Sequence, residues 1–466
     1  RSIMTELQKY PVAESLKKAA EKIGGSDGLW EGRDNAFHTF LSTGFPHKKL
    51  EKWRNTDLSD YLNATYTYIE NTDPVSNVDI NDVFHCSIQN FETALFTLLN
   101  GAYIYNNAPL TVMENGVIAG SLRQAWHQFP ELVNKYLNKL TENTLNGLVS
   151  LNSALATAGF FIYVPDNIVF DKPVQLVNLV NTEVHPFLQI RNLIVLGKNS
   201  KLQFLQCDDS IKDKKSFLNI VSEFHLADGA ILDHYKLQNK DDSAVMTNTS
   251  FFGLQRDAKL STNTITFNGG TIRNESIVNL DGEGAEAEVM GLYLVDRKQH
   301  VDNQVLVRHN APNCTSRELF KGILDDEASV AFNGHIIVQP GAQKTNAFQS
   351  NKNILLTDTA QISTKPFLEI YADDVKCSHG ATVGQLDENA MFYLKQRGIC
   401  DRNARMLLMY AFADEVVRKI TVDSLYHQTA EMVSRRLKGE LSVCDQCMLH
   451  CGSKNPIQFD IDVTKI

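Results

Sequence analysis

Near the amino terminus apolar side chains recur at helical intervals. Leu7, Tyr10, Val12, Leu16, Ala19 and Ile23 predict a helix over 6–23 that stops at Gly24-Gly25. The same periodicity predicts helices over 35–42, 121–139 and 145–158. Residues 46–56, with Lys52-Trp53-Arg54, read as a packed connector. An aromatic ring between basic groups can bind RNA or phosphate, but a tryptophan covered by the stems of amphipathic neighbours is the reading preferred here.

At about Gly159 the pattern changes. Short runs rich in β-branched and aromatic residues follow one another through 160–164, 174–180, 187–196, 202–206 and 217–224, and on to 361–371. Several alternate, as in Leu260-Ser261-Thr262-Asn263-Thr264-Ile265-Thr266-Phe267. Between the runs a polar residue or glycine precedes a small residue: Asn199-Ser200, Gly229-Ala230, Asp257-Ala258, Gly284-Ala285, Glu327-Ala328 and Thr359-Ala360. These corners are 30, 28, 27, 43 and 32 residues apart. A period of this kind with no helix between strands predicts stacked β-coils, a β-helix or related solenoid, in preference to a sandwich of long hairpins. From Leu386 the helical pattern returns. Asp387 and Asp401 are predicted to cap two helices separated at Gly398, and a third is predicted over 423–437. The expected organisation is therefore a mainly helical region at 1–158, a β-coil core at 159–385 and a helical region with a Cys-rich tail at 386–466.

Composition narrows the function without naming it. The chain has 466 residues, 43% hydrophobic and 21% charged, with a formal net charge of −10. That balance argues against a general nucleic-acid or membrane-surface binder. No stretch reaches the roughly 18 consecutive apolar residues of a membrane span, and the first residues lack the apolar run of a secretory signal. Arg1–Ile3 precede the first methionine and can be a cloning remnant. The eight cysteines (86, 207, 314, 377, 400, 444, 447 and 451) are expected to be reduced thiols in a cytosolic protein.

Common catalytic signatures are missing. There is no Gly-x4-Gly-Lys-Ser/Thr phosphate loop, no His-Glu-x-x-His helix and no Gly-x-Ser-x-Gly elbow; Gly282-Glu283-Gly284-Ala285 fails as a dinucleotide fingerprint. Two clusters remain. In Lys376-Cys377-Ser378-His379-Gly380, a strand would put Cys377 and His379 on one face. A thiolate and an imidazole there can hold iron or zinc, or a nearby imidazolium can lower the thiol pKa. The alternative is a buried cysteine beside a hydrogen-bonded histidine. Two ligands cannot complete a tetrahedral site, so a metal there requires a partner's ligands. The second cluster, Cys444, Cys447, His450 and Cys451, is part of a metal knuckle or is inert. Cys86, Cys207, Cys314 and Cys400 have no such company.

Longer motifs carry a family resemblance. His300-Val301-Asp302-Asn303, the run from Ser316 through Ile323, Phe332-Asn333-Gly334, the run from Gln349 through Leu356, Lys376 through Gly384 and Phe392 through Ile399 resemble, in this order, the SufB/SufD family of iron–sulfur cluster assembly. The match covers roughly 160–425, with a looser trace at Trp53-Arg54-Asn55-Thr56-Asp57-Leu58. SufB-type chains have a Glu-His-Glu pattern where this one has Cys377-Ser378-His379, so the motif is similar to the SufD branch. The Cys444–Cys451 cluster has no counterpart among the shared motifs. The resemblance implies a right-handed parallel β-helix between helical regions, in complex with a SufB-type subunit and two copies of a SufC-type ATPase. It implies that Cys377 and His379 face the SufB-type partner at a shared transient iron or iron–sulfur cluster. It further implies that the helix pair at 387–420 receives the ATPase, with Phe392, Tyr393, Arg397, Asp401 and Arg405 as docking residues. The chain itself would bind no nucleotide.

The expectation is thus a non-catalytic scaffold, able to form a homodimer through an unpaired β-coil edge when isolated. Two rivals stand beside it. One is a β-helix polysaccharide lyase or hydrolase, for which the adjacent Asp325, Asp326 and Glu327 are better read as a solvated turn. The other is a stand-alone metal binder using Cys444, Cys447, His450 and Cys451.

Overall fold

A computed structural model describes residues 8–24, 30–70, 74–76, 93–141, 144, 146–210 and 215–438. Two 11-stranded sheets form its body. Sheet I runs from Leu110–Val112 and Ile118–Ser121 through Phe160–Val164 and Pro186–Leu196 to Gln361–Ile370. Sheet II runs from Val75–Ser76 through Ala94–Leu99 and Val174–Val180 to Val375–Gly384. From Val174 onward successive strands alternate between the sheets, and neighbours within a sheet are parallel. This is the parallel β-solenoid that the strand period predicts, in place of a sandwich. Four strands between 94 and 121 start the stack, within the region 1–158 expected to be mainly helical. Apolar runs as short as Ala94–Leu99 carry no periodicity that separates strand from helix.

Parallel, in-register coils stack like upon like, so the core builds from columns. Leu202, Leu232, Leu260 and Ala287 form one inward column of sheet II. The rings of Phe224 and Phe252 stack at 4.6 Å across adjacent coils of sheet I. The corners explain themselves in the same way. Asn167, Asn199, Gly229, Asp257, Gly284, Asn313 and Lys344 all have positive φ, between 53° and 75°. Each lies just before a strand or bridge of sheet II, and its N–H donates to a carbonyl at the same corner of the next coil, as Asn199 to Asp228 and Gly229 to Arg256. Asn, Asp and Gly tolerate this left-handed conformation, hence their recurrence. The predicted corners at Glu327 and Thr359 belong to the opposite edge, where Arg297 and Asp326 take the left-handed turn. The irregular spacing of 43 residues is the jump from one corner column to the other.

Nine helices are described: α1 (Ala13–Gly24), α2 (Arg33–Thr43), α3 (Ser59–Leu62), α4 (Leu122–Gln128), α5 (Pro130–Tyr136), α6 (Gly147–Leu155), α7 (Glu388–Gln396), α8 (Asp401–Val417) and α9 (Asp423–Leu437). The first begins later than its apolar pattern predicts, because Pro11 lacks the N–H an interior turn needs. Helices α1, α2 and α6 bury Leu16, Phe40, Leu148 and Leu151 against Phe187 and Phe217 on the outer face of sheet I. A buried ion pair fastens this cap. Glu223 accepts from Arg191 (3.0 Å) and from the backbone N–H groups of Asn138 (2.9 Å) and Leu140 (3.0 Å), just after α5. At the other end α8 and α9 lay Met406, Met409, Val416 and Met432 on Leu237, Ile265 and Leu292 of sheet II. Arg436 anchors α9 through both carboxylate oxygens of Asp296.

Candidate functional site

The last coil leaves its outer edges open. Gln361–Ile370 and Val375–Gly384 end their sheets, so each is hydrogen-bonded to a strand on one side only. Their unpaired N–H and C=O groups form a template for another chain. Exposed Phe367, Ile370, Tyr371 and Val383 accompany this edge.

Cys377 and His379 sit on that final strand. Period-2 alternation gives them one face, and their register partners Ala347 and Gln349 are buried, so the shared face is the inward one. Cys377 is half-buried and packs against the main core, whereas His379 is exposed at the mouth of the coil. Burial pushes the Cys377 thiol up, opposed by the Ala347 backbone N–H, and His379 is not among the groups acting on it. The thiol therefore stays protonated at neutral pH, and a metal or sulfur donor would have to displace its proton. Among the described residues no three His, Cys, Asp or Glu side chains converge on a common point. Among the described residues, Cys377 and His379 are thus the two candidate ligands here.

Behind His379 lies a polar pair absent from the motif reading. Gln349 donates its amide N–H to the Glu318 carboxyl at 2.6 Å, and the other Glu318 carboxyl oxygen and the Gln349 amide oxygen are buried without a partner. Desolvation, opposed by the Gln349 hydrogen bond, raises Glu318 to about 8. The two residues are 31 positions apart, one coil, and local spacing cannot reveal that they touch.

The predicted docking residues lie together at the solenoid's carboxy-terminal helices. Asp387 caps α7 through the N–H groups of Asn389 (2.8 Å) and Ala390 (3.1 Å), and Gly398 ends the segment with φ 83°. Cys400, not Asp401, is the N-cap of α8; Asp401 is its first helical residue, where a carboxylate favours the helix dipole. Asp401 also pairs with Lys395 and Arg405. Helix α7 buries no residue at all: Phe392 is 65% and Tyr393 56% exposed, with the Arg397 guanidinium 4.9 Å over the Tyr393 ring. Two large aromatics held in water on a well-capped helix are surface available to a partner.

Asp325, Asp326 and Glu327 form a corner turn, with Asp326 left-handed, and do not converge in a groove. Cys207 and Cys314 are buried in the solenoid, and Cys400 is exposed. Cys86, Cys444, Cys447, His450 and Cys451 lie outside the described residues. No described helix is long and apolar enough to cross a membrane.

Two protein-family models match the chain: the SufBD core domain of SUF system FeS cluster assembly at residues 179–412, and the SufBD protein N-terminal region at 15–176. Over 447 residues the chain is 28% identical to an iron–sulfur cluster assembly SufBD family protein of Synechocystis, covering 93% of this chain and 96% of that one. It is 27% identical to the iron–sulfur cluster assembly protein SufD of Escherichia coli, covering 86% and 91% of the two chains. It is also 27% identical to SufD of Bacillus subtilis, covering 91% and 98%.

Proposed function

The chain belongs to the SufBD family of iron–sulfur cluster assembly proteins, and from that premise we propose that it is a non-catalytic, SufD-type scaffold of the cytosol. It pairs its open coil end with a SufB-type subunit and carries a SufC-type ATPase on α7 and the start of α8. The observation that carries this reading is the coincidence of an unpaired sheet edge with Cys377 and His379 on its inward face. A homologous chain continuing the sheet would bring its own side chains opposite these two and complete a ligand set that one chain cannot close. Iron and sulfide are cargo at that seam.

Nucleotide chemistry belongs to the ATPase, in keeping with the missing phosphate loop. ATP-driven movement of the ATPase subunits, transmitted through α7 and α8, reshapes the seam where the cargo sits. In isolation the same open edge pairs with a second copy of this chain.

Affinity capture tests the docking surfaces. Tagged chain is expected to retain both partner types. Phe392→Ala with Tyr393→Ala should lose the ATPase while keeping the SufB-type subunit and an unchanged melting temperature, because neither ring is buried. Retention of the ATPase by the double variant would remove α7 from the docking surface.

A further inference from the structure

A groove of about 760 Å³ lies on the outer face of sheet I. Its floor lies on a stripe built across the coils: Phe251, Ile277, Leu306 and His335, which line it, and Phe367 beyond them on the last strand are in register on five successive strands. At the usual strand spacing this stripe is about 19 Å long. Leu140, packed on Phe251 and Ile277, closes one end, and the connector at Leu50–Trp53 makes a side wall. Trp53 is itself buried, with the Arg273 guanidinium 3.7 Å over its ring.

The charges around the groove do not cancel. Glu51 is held by Lys365 (2.6 Å), Glu275 by Arg273 (2.5 Å), and Asp281 accepts from Asn310 (2.7 Å). Arg308, by contrast, donates to the neutral Asn279 amide oxygen at 3.1 Å while half-buried. Lys52 reaches the groove from the wall; burial chiefly lowers the His335 imidazole, its contact with Glu369 (2.9 Å) opposes this, and the Lys52 and Arg308 charges add to the lowering. Burial costs the Arg308 guanidinium more than the nearby Asp281 charge returns to it, so it is under-compensated and favours an added anion.

We propose that this groove binds an elongated amphiphilic anion, its acidic head on Arg308 and Lys52 and its apolar body along Leu306, Ile277 and Phe251. The size fits, since ligand sites run from about 300 to 1,000 Å³. The site is independent of Cys377 and His379, and it goes beyond the scaffold reading.

Anilinonaphthalene sulfonate and its uncharged counterpart, phenylnaphthylamine, probe the site on the full chain by fluorescence titration. Wild type should bind the sulfonate at one saturable site, about tenfold or more tighter than the uncharged ring system. Arg308→Gln should erase that preference while leaving phenylnaphthylamine binding intact, which also shows that the variant is folded. Leu306→Glu should weaken both probes, and Arg256→Gln, on an exposed corner, should change neither. Equal affinity for the two probes in wild type, or an unchanged preference in Arg308→Gln, would overturn the proposal.

Discussion

Glu318 offers a test in which the size of the effect follows from one residue. Its carboxyl is fully buried between coils, with Gln349 as the polar group that favours its charged form, and desolvation raises it from the ordinary 4.5 to about 8. The folded chain therefore holds a proton that the unfolded chain releases above pH 4.5. Stability from this group is complete below pH 4.5, falls as pH rises, and levels off once pH passes about 8. The whole interval is worth about 5 kcal/mol at 1.36 kcal/mol per pH unit, and the part between about pH 5.5 and pH 8 about 3 kcal/mol. Glu318→Gln removes the titration and keeps an oxygen to accept from Gln349. The stability of wild type minus that of the variant, from urea unfolding at matched pH, should thus fall by about 3 kcal/mol between those two values. Taking the difference cancels the other titrating groups, such as His300 and His309, which burial pushes down in both proteins. A difference that does not change with pH would refute the claim that Glu318 is a neutral acid in a dry coil.

Other expectations follow from the same fold. Glu223→Ala should destabilise by about 3–5 kcal/mol in denaturant melts, since it strands Arg191 in the interior and frees two backbone donors of the cap. Gly229→Ala should lower stability by about 1–2 kcal/mol, because φ is +67° there, whereas Gly341→Ala, with open space around it, should be near neutral by the same melts.

Much of this architecture is visible in the primary structure because a solenoid repeats itself. Strand runs and the Asn, Asp and Gly corners recur once per coil, since each coil needs one left-handed residue at that edge. Cys377 and His379 could be placed on one face by alternation alone. What local windows miss is whatever the coils assemble across about 30 residues. The Glu318–Gln349 contact and the Phe251-to-Phe367 stripe exist only through register, so neither leaves a nearby motif. Cys314 falls in the same corner column as Ala258 and Ala285, yet the small-residue rule passes over it because a thiol fills the alanine's place. The N-cap of α8 shifts from Asp401 to Cys400, a one-residue difference that propensity cannot decide when an acid serves equally well in the first turn.

The most direct test of the scaffold reading is iron and sulfide content of the chain co-purified with SufB-type and SufC-type partners, compared between wild type, Cys377→Ala and His379→Ala. The half-buried thiol and the exposed imidazole are peripheral to folding, so all three complexes should form with equal yield. Wild type should carry iron and sulfide, and each variant should lose most of both. Full cluster content in both variants would contradict the assignment of Cys377 and His379 to the seam.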